Sequence, residues 1–134
     1  MKLVTYVDSG AMRIPKLAAT IVRLHLRALI VSNAYYLKTH PDTPLIYKWK
    51  GRFGPEPNAG KYEEFADIPT ILKRGWADCD DLAPWRAAEI RVREGRPANC
   101  LVYWRKRGNR IVFHICVRRT DTGEVEDPSR LLGM

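Results

Sequence analysis

The sequence predicts an α+β domain, helices packed on a small antiparallel sheet, on three observations. Its first two thirds carry apolar residues at helical spacing. Its last third switches to runs rich in valine, isoleucine and aromatic residues, divided by turn residues. A length of 134 residues, 46% hydrophobic and 28% charged, suits one folded unit rather than two or a disordered chain. Such a unit buries roughly 68% of the surface its unfolded chain exposes, enough for a core without disulfides or metals.

Residues 1–7 (MKLVTYV) read as a short strand, broken by Ser9-Gly10, and Pro15 suits the first turn of a helix. Over residues 16–38, Leu17, Ile21, Leu24, Ala28, Val31 and Tyr35 recur every three to four positions. This stripe is expected to face the core, with Arg23 and Arg27 off it. Residues 40–60 hold four prolines and three glycines, which rule out a continuous helix and predict an irregular, site-lining segment. Within it Tyr47, Trp49 and Phe53 read equally as one aromatic face of a short strand or as pins on the core. Residues 61–74 read as helical, split by Pro69 into two short turns and closed by Gly75.

A second long helix is expected over residues 80–94, ended by Gly95 and Pro97. Its apolar and small residues cover much of its circumference, which predicts a central position. Pro84 delays regular hydrogen bonding to near Asp81. Residues 99–104 and 111–117, divided by Lys106-Arg107-Gly108-Asn109, form a hairpin. Asp121-Thr122-Gly123 turns the chain into a third strand over 124–127, which Pro128 ends. The single domain is expected to span 1–134, with 1–60 a helical and loop extension and 61–134 the core.

The net charge is +8, and its excess is even: 10 basic and 6 acidic residues in 1–67, 13 and 9 in 68–134. No basic arm stands out, so nucleic acid is not expected as the main partner. The basic cluster Arg105-Lys106-Arg107-Gly108-Asn109-Arg110 falls on the hairpin turn, where solvated charge is routine. No stretch approaches the roughly 20 apolar residues of a membrane span, since Arg23, His25 and Arg27 interrupt the most apolar run. The first residues lack a signal-peptide layout, and a cytoplasmic or virion-associated location is expected. Three cysteines without a CxxC pair argue against a disulfide framework or a four-cysteine zinc site. Cys100 and Cys116 read as packing residues on neighbouring strands, close enough for a disulfide that a cytosolic location disfavours.

Cys79 at a helix start, His114 within a strand and Asp127 at a strand end have the residue types of a thiol catalytic triad. A helix N-terminus favours thiolate, an imidazole takes its proton, and a carboxylate fixes the imidazole tautomer. On its strand His114 shares a face with Val112 and Cys116, while Ile111, Phe113, Ile115 and Val117 take the other. Cys79 is flanked by Asp78, Asp80 and Asp81, an unlikely setting for a core thiol. Those acids raise the thiol pKa unless an arginine, a histidine or a metal compensates.

Gly75-Trp-Ala-Asp-Cys-Asp-Asp-Leu-Ala83, then Ala87-Ala88-Glu-Ile-Arg91 and Gly95-Arg-Pro-Ala98, resembles the nucleophile helix of the transglutaminase-like superfamily. Phe113-His-Ile-Cys-Val117 is similar to its histidine strand, and Glu126-Asp-Pro-Ser129 to its Asp-Pro ending. The resemblance covers residues 70–130. It implies a papain-like core, a Cys79–His114–Asp127 catalytic triad and a cysteine protease or other hydrolase, with hydrolysis of a peptide or isopeptide amide ahead of amine transfer. It also implies a tryptophan at the oxyanion hole, Trp49 or Trp76, because the chain contains no glutamine for that place. No cofactor is required, although acids flanking the nucleophile bind calcium in some bacterial members, which points to Asp78 and Asp80. The expected partner is a protein or peptide substrate. Small domains of this kind resemble bacteriophage-encoded proteins, so the alternative is a weakly catalytic or non-catalytic virion or assembly protein.

Overall fold

The computed structural model describes residues 3–8, 14–54, 62–108 and 110–134. The expected break at Ser9-Gly10, the last part of the 40–60 segment and Asn109 of the hairpin turn lie outside the described residues.

Pro15 opens α1, Pro15–Thr39, whose inner face carries Ala18, Val22, Leu26, Leu29, Ile30 and Leu37 at 2% exposure or less. This corrects the expected face. Leu17, Leu24, Val31 and Tyr35 are 45–66% exposed and Ala28 faces outward too. The helix holds two apolar stripes, and the expected residues lie on the outer one except Ile21, which packs partly against the core. Contrary to the expectation drawn from Arg23, His25 and Arg27, α1 is long and apolar enough to cross a membrane, a weak sign that the core helix of a soluble protein gives equally.

β1, Val4–Asp8, pairs antiparallel with β3, Tyr62–Ala66, so the expected helical start at 61 is a strand instead. Alternation wins there because Phe65 enters the core while Glu64 reaches the Arg74 guanidinium. α2, Ile68–Arg74, is one helix rather than two turns: Pro69 sits in its first turn, where no amide is needed. Asp67 caps it, accepting from the Thr70 N–H at 3.1 Å, and Gly75 closes it at φ 79°, which favours glycine. The Asn33 side chain ties α1 to this junction by accepting from the Ile68 N–H at 2.9 Å.

Between these elements, β2, Arg52–Phe53, pairs in parallel with β4, Trp76–Ala77. Tyr47 lies in a 3-10 turn, Ile46–Lys48, so the three aromatics share no strand face. Trp49 pins this segment to the core, 5.6 Å from the Trp85 ring.

α3, Cys79–Glu89, is central as expected, with Leu82, Ala83, Trp85, Ala87 and Ala88 fully buried. Its hydrogen bonding begins with the Asp81 and Leu82 N–H groups, which donate to the Asp78 carbonyl at 3.2 and 2.9 Å, near Asp81 as expected. A wider π-helical turn, Ile90–Glu94, ends at Gly95. β5, Ala98–Arg107, and β6, Arg110–Arg119, form the expected hairpin, and β7, Val125–Glu126, pairs with β6 at Val117 and Arg118. Asp127 then caps a short helix, α4, Pro128–Leu131.

Among the described residues the mixed architecture is therefore helices with three small sheets, one of them parallel, rather than a single antiparallel sheet. One hydrophobic cluster takes in α1, α2, α3, β5 and β6, so residues on both sides of position 60 build the same core.

Candidate functional site

Asp78 and Asp81 form a capping box that starts α3 at Cys79. Asp81 is fully committed: Oδ1 accepts from the Ala66 N–H at 2.8 Å, and Oδ2 from Arg74 Nη2 at 2.6 Å and the Asp78 N–H at 3.2 Å. Asp78 Oδ1 and Asp80 Oδ1 are buried with no hydrogen-bond partner among the described residues. One oxygen from each of Asp78, Asp80 and Asp81 lies within 4.8 Å of the others. Burial first, then the Asp78 charge, holds the Asp80 and Asp81 carboxyls well above the usual carboxylate range. Arg74 is already taken by Asp81 and Glu64, which leaves Asp78 and Asp80 without an opposing charge among their recorded partners. A donor set made only of oxygens with two unpaired buried atoms fits a hard cation such as calcium.

Burial pushes the Cys79 thiol up to about 12, with the charges of Asp78, Asp81 and Asp127 acting the same way. The opposing influence is a backbone hydrogen bond from Ile115. The expected gain in thiolate from the helix start is therefore outweighed in the resting chain. Cys79 opens onto a pocket of about 210 Å³ lined also by Phe53, Phe65, Val112 and Phe113, room for one side chain.

His114 and Asp127 meet: Nε2 to Oδ2 is 2.7 Å. A carboxylate can only accept, so this bond places the imidazole proton on Nε2 and leaves Nδ1 as the basic nitrogen. Ser129 Oγ donates to Asp127 Oδ1 at 2.7 Å, and the Arg130 N–H donates to it at 3.4 Å. Burial acts the other way, yet these bonds and His114 hold the Asp127 carboxyl below its ordinary range. The Cys79 sulfur is not hydrogen-bonded to His114. It lies against the amide of the next residue along β6, Ile115, beyond the end of the β7 pairing.

Neither expected oxyanion tryptophan lines the Cys79 pocket. Trp76 lies beneath the Arg74 guanidinium, 3.5 Å from ring centre to carbon, and Trp49 packs on Trp85. Phe53, between them in sequence, reaches the pocket instead.

All three cysteines are free. Cys100 pairs in register with Val117 and Cys116 with Leu101, which places the two thiols on opposite faces and removes the basis for a disulfide. Cys116 proves to be the thiol next to the histidine and aspartate pair, a placement that the His114–Cys116 alternation already contained.

A charged network that the sequence does not signal engages Glu126, the residue before Asp127. Arg86 of α3 binds Glu126 at 2.6 Å and Glu89 at 2.7 Å, and Tyr47 donates to Glu126. Glu94 binds Arg119 at 2.8 Å beside it. Arg86 and Glu126 lie 40 residues apart in the chain, so no local spacing signals the pair. Compared with known protein families, curated proteins and solved structures, the chain matches none.

Proposed function

We propose that this chain is a thiol acyl-transfer enzyme of papain-like, transglutaminase-like core that acts on peptide or isopeptide amides, hydrolysis ahead of amine transfer. The observation that supports it is the His114–Asp127 pair on the strand whose next amide touches the Cys79 sulfur. In this reading His114 Nδ1 takes the Cys79 proton as sulfur attacks the amide carbonyl, forming a C–S bond and a tetrahedral oxyanion. First-turn amides of α3, which lack intrahelical carbonyl partners, would receive that oxyanion. Collapse breaks the C–N bond as His114 protonates the leaving amine. Water, giving its proton to His114, then adds to the thioester, and C–S cleavage returns the proton to sulfur. Asp127 holds the imidazole tautomer throughout.

Asp78 and Asp80 would hold calcium, which would supply positive charge against the acids that flank Cys79. The functional test is peptide release from casein and incorporation of a fluorescent amine by wild type and Cys79→Ala. Loss of both in a Cys79→Ala protein that still folds is the expected result. Equal turnover by the two proteins overturns the reading.

A second reading has its own support. The outer stripe of α1, Leu17, Leu24, Val31 and Tyr35, is an exposed apolar seam at near-heptad spacing. It would suit a virion or assembly protein that keeps the fold with little catalysis. Self-association or partner binding that survives Cys79→Ala but is lost in Leu24→Glu favours that reading.

A further inference from the structure

Cys116 stands two residues beyond His114 on β6, so both side chains leave the same face of the sheet. Asp127 reaches them from the start of α4. One ring nitrogen of His114, the Cys116 sulfur and one Asp127 oxygen all lie within 4.8 Å of one another. Cys116 is 5% exposed, whereas the His114 side chain is 48% exposed, so the cluster has a buried floor and an open side. In a tetrahedral zinc centre the ligand atoms sit about 3.3–3.5 Å apart, given bonds of about 2.0 Å to nitrogen or oxygen and about 2.3 Å to sulfur. The His114–Asp127 contact of 2.7 Å would need to widen by only roughly 0.6 Å to admit an ion.

We propose that His114, Cys116 and Asp127 form a binding site for a borderline divalent cation, zinc in preference to calcium or magnesium. Nitrogen, sulfur and a single carboxylate are the ligands zinc takes, while harder cations need more oxygens. The open side of His114 leaves water the fourth position. Binding forms metal bonds to His114 Nε2, the Cys116 thiolate and the Asp127 oxygen, breaks the His114–Asp127 hydrogen bond, shifts the Nε2 proton to Nδ1 and releases the Cys116 proton to solvent. Its consequence rests on the acyl-transfer reading: an ion on His114 removes the base, so zinc inhibits. The all-oxygen cluster of Asp78, Asp80 and Asp81 is separate from this site and suits a different cation.

The test titrates the folded chain with ZnCl2 by calorimetry and with CoCl2 by absorption. Wild type, Cys79→Ala and Asp80→Asn should each bind one ion at this site with the same affinity and show a sulfur-to-cobalt charge-transfer band. Cys116→Ser should lose the band and at least tenfold in affinity, and His114→Ala, at a half-exposed position that the core does not need, should lose at least tenfold too. Wild-type affinity in both of those variants, or a band that depends on Cys79, overturns the proposal. Where amide turnover is measured, zinc should inhibit wild type, and Cys116→Ser should resist zinc relative to its own zinc-free rate. Absent turnover in wild type counts against the acyl-transfer reading alone, because the binding arms stand without it.

Discussion

Asp127 has three roles: it accepts from the His114 ring, caps α4 and accepts from Ser129. Its carboxyl is held below the ordinary range, so its stabilising contribution is present above the unfolded value and is lost as pH falls through the folded one. Asp127→Asn should therefore lower the melting temperature above about pH 4, with the difference from wild type closing toward pH 2. Calorimetry across that range checks it, and a difference that grows in acid contradicts it. On a turned-over substrate the same change should cost several orders of magnitude in kcat, since an asparagine no longer fixes the Nε2–H tautomer. The residue types of this site were legible in the sequence because each sits at an element boundary or on an alternating strand. The thiol pKa was not legible. It depends on burial and on three carboxylates whose distances only the fold sets.

At the scale of elements, α1 shows how a correct helix can be read with the wrong face. Its leucines, isoleucines and valines lie on both sides, and periodicity alone cannot rank two apolar stripes. The basic side chains do not rank them either, because Arg23 and Arg27 project between the two stripes. Leu26→Ala should cost about 2–5 kcal/mol in urea unfolding, whereas Leu24→Glu should stay within about 0.5 kcal/mol. The reverse order would restore the face expected from sequence. β3 was missed because residues 61–66 are too few to show a period, and the strand exists through its pairing with β1. Between elements, Arg86 holds α3 to β7. Arg86→Ala leaves Glu89 without its cation and Glu126 with only the more distant Arg119, and should destabilise by about 3 kcal/mol. If the melting temperature of Arg86→Ala equals that of wild type, this network does not hold α3 to β7.

Across the whole molecule, fold class was legible because the shift from helical spacing to β-rich alternation occurs once, near residue 98. The grouping into three sheets was not, since it depends on pairings 24 or more residues apart. The molecule places an acidic cluster, of which only Asp81 is paired with an arginine among the described residues, at the start of its central helix. Asp80→Asn should raise the melting temperature in calcium-free buffer at neutral pH, because burial and the Asp78 charge oppose ionisation there. Calcium should stabilise wild type by about 2.7 kcal/mol at one hundred times Kd and stabilise Asp80→Asn far less. The central claim is that His114 serves the Cys79 thiol. Its most direct test is iodoacetamide labelling near neutral pH, read separately at Cys79, Cys100 and Cys116 by mass spectrometry, in wild type and His114→Ala. With the Cys79 thiol pushed up to about 12, rapid labelling there requires the imidazole to take its proton. The account predicts that Cys79 labels at least tenfold faster than Cys100 in wild type and loses that advantage in His114→Ala. Equal rates at Cys79 and Cys100 in both proteins, or a His114-dependent label that lands on Cys116, would contradict it.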